Sequence, residues 1–97
     1  MGATTFFTIA SGKTPEEALE NAFDGKCKYE VLPEGVRGDK EGMERVAQGI
    51  VTEAEAHALA TALEYDSRFA EWWDPIAYVE LSPEDQPRFA FFGWMRG

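Results

Sequence analysis

Thr52-Glu53-Ala54-Glu55-Ala56-His57-Ala58-Leu59-Ala60-Thr61-Ala62-Leu63 is the stretch around which the rest of the chain is organised. Thr52 and Glu55 stand at the spacing of a capping box, in which the threonine oxygen accepts a backbone N–H that the first turn leaves unpaired and the glutamate reaches back to the cap residue. Ala56, Leu59, Ala60 and Leu63 recur at the spacing of one helical face, while Glu53, His57, Thr61 and Glu64 fall on another. Alanine at every second position from 54 to 62 favours helix and leaves little side-chain bulk, so this helix is predicted to lie flat on a sheet.

The flanking segments supply that sheet. Thr4 to Ala10 is rich in β-branched and aromatic residues and closes on Ser11-Gly12, which predicts a strand. Thr14-Pro15-Glu16-Glu17 repeats the capping-box spacing with proline at the first helical position, and Ala18, Leu19, Ala22 and Phe23 make the buried stripe of a short helix that Asp24-Gly25 ends. Lys26 to Leu32 reads as a further strand, Pro33-Glu34-Gly35 and Gly38-Asp39-Lys40 as turns, and Met43 to Val51 as an irregular strand. After the central helix, Asp66-Ser67-Arg68 predicts a fresh cap and a short helix carrying Phe69, Trp72 and Trp73, stopped by Asp74-Pro75. Ile76 to Leu81 and Arg88 to Met95 alternate as the two strands of a closing C-terminal hairpin. Phe89 and Phe91 point to one side of the last strand and Phe92 and Trp94 to the other, so both of its faces are apolar. The expected fold is a single α+β domain over residues 1–97, a two-layer sandwich of a small antiparallel or mixed sheet with the two main helices on one face.

Composition bounds the function. Eighteen acidic against nine basic side chains give a net charge of −9, which argues against direct nucleic-acid or anionic-membrane binding. The last 47 residues carry nine acids and three bases, and between Glu53 and Asp85 the only base is Arg68. There is no apolar run of membrane-spanning length and no basic-then-apolar N-terminal block, so a cytoplasmic protein is expected. Cys27 stands alone, which rules out an internal disulfide, and no cofactor is called for.

Signals for chemistry are sparse. Ser11-Gly12-Lys13-Thr14 resembles the end of a phosphate-binding loop, yet Phe7 occupies the place of its first glycine, Pro15 removes an amide and Glu16 and Glu17 would repel phosphate. His57 is the only histidine; Glu53 lies one helical turn before it, but no third metal ligand is evident. No pair of carboxylates is set off by an apolar surround of the kind that raises a pKa, so no acid–base pair is expected.

Phe6-Phe7-Thr8-x-Ala10-Ser11-Gly12-Lys13-Thr14-x-x-Glu17-Ala18 at the front and Phe91-Phe92-Gly93-Trp94 at the end resemble a family of small phage and prophage proteins. Trp73-Asp74-Pro75 stands where members often have tryptophan, glycine and proline. The resemblance implies a phage accessory protein without catalytic residues, acting inside the host cell on a host protein. An acidic protein of this kind suits a basic groove in a nucleic-acid-dependent defence complex, because duplex DNA carries one negative charge per roughly 1.7 Å and ranged carboxylates compete for the same cations. The expectation is therefore an anti-CRISPR-like inhibitor. Its expected binding residues are Glu53, Glu55, Glu64 and Asp66 in and after the central helix, Glu84 and Asp85 in the hairpin loop, and Phe92 and Trp94 on the last strand. The alternative is a structural or host-takeover adaptor that binds a protein partner through aromatic surface, or itself as a homodimer.

Overall fold

A computed structural model describes residues 2–97. Five strands form one mixed sheet in the order β2-β1-β5-β4-β3, where β1 is Ala3–Ser11, β2 Cys27–Tyr29, β3 Met43–Val51, β4 Ile76–Leu81 and β5 Arg88–Arg96. Three helices accompany it: α1 (Pro15–Phe23), α2 (Glu34–Asp39) and α3 (Glu53–Ala62). The longest ladder joins β1 to β5, antiparallel from Ala3↔Arg96 to Ser11↔Arg88. β4 and β5 form the expected antiparallel hairpin, and β3 runs parallel to β4 with a register break between Arg45 and Ile50. Parallel neighbours need a crossover, and α3 with the turns after it supplies one.

The α+β class and the mixed sheet agree with expectation, but the helices are not on one face. Phe6, Ala10, Phe89 and Phe91 pack with Ala18, Ala22 and Phe23 of α1, Val36 of α2 and Leu32. Ile9, Ala77, Val79, Ala90 and Phe92 pack with Ala56, Leu59, Ala60 and Leu63 on the opposite side. The domain thus has three layers, with α1 and α2 over one face and α3 over the other. The cause lies in β5: a central strand apolar on both faces must be covered on both.

Local chemistry fixes the two main helices. Thr52 and Glu55 make the full capping box, each side chain bonded to the other's backbone N–H, at 3.1 Å to the Thr52 oxygen and 2.8 Å to the Glu55 carboxylate. At α1 only half of the box forms: the Thr14 hydroxyl accepts from Glu17 N, but the Glu17 carboxylate takes Lys13 N instead of the cap residue's own.

Three segments differ from expectation; the strand expected over Lys26 to Leu32 forms only over Cys27–Tyr29. Glu34–Asp39, where two glycines signalled turns, is a short helix; buried Val36 anchors it, and Arg37 stacks its guanidinium 4.2 Å from the Phe23 ring centre. Residues 63–75, expected to hold a helix, form a chain of turns. The Asp66 carboxylate accepts from Arg68 N, two residues on, which closes a side-chain turn and not a helix cap, and Asp74 accepts from Glu71 N. The aromatics there share no face: Phe69 is buried, Trp73 is exposed, and Trp72 carries the Arg96 guanidinium at 4.0 Å.

Gly12 is required by a close approach. A Cβ there would stand 2.5 Å from Ala18 N, whereas Gly35 in α2 faces open space. Gly12→Ala is expected to destabilise the fold by about 1–3 kcal/mol and Gly35→Ala to stabilise it by up to about 1 kcal/mol, both measured by urea unfolding. Equal effects would contradict this packing of α1 on β1.

Lys40 is the one buried charged side chain among the described residues. Its amine lies 5.9 Å from the Phe6 ring centre and donates to the Asp74 carbonyl. Burial pushes its pKa down to about 8 from 10.5, against the partly restoring charges of Asp74 and Asp39. Between those two values the unfolded chain holds more protons than the folded one, so stability rises with pH across that window. The stability of the protein relative to Lys40→Met is expected to climb from about pH 8 to 10.5; parallel curves would refute this burial.

Candidate functional site

The second face carries a concavity beside α3. α3 lies over β4 and β5 through Ala56, Leu59 and Ala60, and an open cleft of about 280 Å³ remains between its exposed edge and the ends of β1 and β5. His57, Thr61 and Glu64 form the helix side, Thr5 and Phe7 the β1 side, and Phe92 and Trp94 the β5 side, with Glu30 at the rim. No lysine or arginine borders it.

An aromatic array builds one wall. The His57 ring lies flat on Phe7, with centres 4.0 Å apart and planes at 21°, and Phe7 stacks in turn towards Phe92 at 6.1 Å. Tyr29 stands edge-on to both, 5.7 Å from Phe7 and 5.4 Å from His57. Its hydroxyl donates to the Glu53 carboxylate, and His57 Nε2 lies 3.4 Å from the same hydroxyl. Glu53 also takes Lys28 Nζ at 3.1 Å and faces the Arg88 guanidinium at 3.8 Å.

These contacts reinforce the ordinary protonation states. The hydrogen bond to Glu53 raises the Tyr29 phenol above its ordinary range, while the Tyr29 hydroxyl and the Lys28 ammonium hold the Glu53 carboxyl below its own. A tyrosine kept neutral and a glutamate kept charged form a fixed clamp between β2 and α3. The cleft does gather the only histidine with two carboxylates, Glu30 and Glu64. The imidazole, however, is laid against Phe7 with Nε2 turned to Tyr29, and neither serine nor cysteine lines the site. Cys27 borders a different groove beside Lys26, Lys28 and Arg88. Among the described residues no three His, Cys, Asp or Glu side chains converge as metal ligands would.

The eight residues expected from sequence to bind a partner separate into groups. Glu53 and Glu84 meet at Arg88, which lies 3.8 and 3.9 Å from their carboxylates. Glu55 is committed to its cap, Asp66 to Arg68, and Asp85 is exposed in the β4–β5 loop. Glu64 and Trp94 come together at the cleft, where the indole N–H donates to the Glu64 carbonyl at 2.6 Å. Phe92 is a correction: it is 3% exposed, sealed beneath α3, because the last strand is central and covered on both faces. Glu53 and Glu64 lie eleven residues apart on and just past one helix, roughly 16 Å at 1.5 Å per residue, so no continuous acidic face joins the groups.

Tyr29, Glu30 and Phe7 were not legible as site residues. Tyr29 has φ +83°, a left-handed conformation that a non-glycine residue rarely takes, and this turn of the chain brings Glu30 to β1, where its carboxylate accepts Phe7 N–H at 2.9 Å. No sequence signal marks that turn; a glycine there would have.

No family model, curated protein or solved structure matches the chain.

The clamp makes a pH prediction. Because the Glu53 carboxyl is held below its ordinary value of 4.5, its contribution to stability is complete above that value and is lost as pH falls through the folded pKa. Wild type is expected to be more stable than Glu53→Gln at neutral pH, with the difference shrinking in acid. A difference that is the same at neutral and acid pH would show that the carboxylate charge is not what Tyr29 and Lys28 engage.

Proposed function

We propose that this chain is a non-enzymatic accessory protein that binds a protein partner through a positively charged group seated in the cleft beside α3. One observation carries this: aromatic side chains and two glutamates line a concavity that no lysine or arginine borders. Such a site favours a cation, which gains from ring faces and from charge-assisted hydrogen bonds to carboxylate together. The net charge of −9 adds attraction at long range and speeds encounter with a basic surface.

In the phage setting that the sequence resemblance implies, the partner is a host protein with a basic groove, and binding blocks that groove against nucleic acid. The anti-CRISPR-like reading belongs here. The carboxylates that serve it are Glu64 and, once it leaves Phe7 N–H, Glu30; Glu53, Glu55 and Asp66 are held by ion pairs or by the helix cap. A second reading has its own support: Tyr65 is 81% exposed and Trp73 52%, large apolar surfaces of the kind an adaptor presents to a partner or to a second copy.

Salt separates the two. The tagged protein and a Glu30→Gln/Glu64→Gln variant are used to capture host proteins at low and high salt. Cleft binding predicts a basic protein held by wild type at low salt, released at high salt, and held weakly or not at all by the variant. Capture that ignores both salt and the double substitution would sink the cleft reading and favour the aromatic surface.

A further inference from the structure

β2 covers only part of β1. Its ladder pairs Thr8, Ile9 and Ala10 and stops at Tyr29, whose left-handed backbone turns the chain away. Residues Ala3 to Phe7 therefore have β5 on one side and no strand on the other.

The direction of the free backbone groups follows from alternation. Phe7 N–H donates to the Glu30 side chain, so Phe7 faces away from β5. In an antiparallel ladder the residues two positions apart share that direction, so Thr5 and Ala3 also turn their N–H and C=O groups outward. Gly12 N–H, on the other parity, bonds to Pro87 on the far side, as this register requires. The edge is a short template of outward donors and acceptors that no strand pairs, with Phe7 N–H held by the Glu30 side chain, next to the carboxylate-lined cleft.

We infer that β1 takes an extended peptide segment of the partner by strand addition alongside Ala3–Phe7, with a lysine or arginine of that segment entering the cleft. The inference rests on the cleft reading above and adds the partner's conformation. Phe7 and Ile9 point to the α3 side of the sheet, so Thr5 does too, and a residue paired opposite Thr5 or Phe7 presents its side chain to the same side. A carbonyl of the incoming strand takes over Phe7 N–H and frees the Glu30 carboxylate to pair with the arriving cation. Backbone bonds thus supply the docking and the charge supplies the choice of sequence.

The test uses a synthetic, end-blocked seven-residue peptide of alternating threonine and valine with a central arginine, fluorescein-labelled and followed by anisotropy. Wild type is expected to bind it and to bind the central-glutamate peptide at least about tenfold more weakly. N-methylation of the peptide amides along one edge is expected to abolish binding. Thr5→Pro is expected to do the same without loss of fold, because the N–H it removes bonds to no strand. Should Thr5→Pro fail to fold, the N-methylated peptide on wild type decides alone. Unchanged binding after N-methylation overturns strand addition; if Glu30→Gln/Glu64→Gln still erases the arginine preference, the cleft reading survives it. Failure of wild type to bind the arginine peptide overturns the inference. So does a concentration-dependent dimer that Thr5→Pro converts to monomer, which would assign the edge to a second copy.

Discussion

Everything in this fold depends on a central strand that is apolar on both faces. Phe89 and Phe91 on one side of β5, and Ala90 and Phe92 on the other, leave neither face fit for water. Burying a phenylalanine side chain is worth about 1.5–3 kcal/mol, so an uncovered face would forfeit several such contributions. Strands β1 and β4 satisfy the backbone of β5, and helices must then close both faces. A short α1 does so on one side within the β1–α1–β2 turn. On the other, the parallel pairing of β3 with β4 requires a crossover, and that crossover is α3.

How α3 covers its face sets the geometry of the site. Its contact residues include two alanines, Ala56 and Ala60, which bring the helix close to the sheet under Leu59 and Leu63. The helix ends at Ala62, capped by Leu63, and the side it turns to the cleft carries His57, Thr61 and, just past the cap, Glu64. Tyr29 then completes the arrangement. A non-glycine residue held at positive φ costs on the order of 1–3 kcal/mol, and it persists where the surroundings fix it. Here Glu53 holds the hydroxyl and Phe7 and His57 hold the ring. The consequence is a sheet edge left uncovered beside an acidic cleft.

Much of this architecture was legible in the sequence. The capping box at Thr52 and the stripe from Ala56 to Leu63 fixed α3, and alternation gave β4 and β5 with nearly their observed ends. Local patterns report which face of an element is apolar but not which side of the sheet it lands on, so α1 and α3 were placed together when the doubly apolar β5 keeps them apart. Gly35 and Gly38 concealed α2, whose support is tertiary, through Val36 and the Arg37–Phe23 stack. Asp66 misled in the opposite sense, because the same side chain serves a helix cap or a tight turn, and Arg68 decided for the turn. At the cleft, two of the residues expected from sequence, Glu64 and Trp94, come together. Tyr29 and Glu30 were not expected, since a left-handed residue without glycine carries no local signature.

Residue-resolved amide hydrogen exchange along β1 tests the central claim most directly. In the free protein an open edge predicts alternation: Thr4, Phe6, Thr8 and Ala10, which face β5, exchange slowly, and Thr5 exchanges fast. Adding a basic partner should slow Thr5 selectively. Slow exchange at Thr5 in the free protein, equal to that at Thr4 and Phe6, would mean that the edge is already covered and would contradict the site as described.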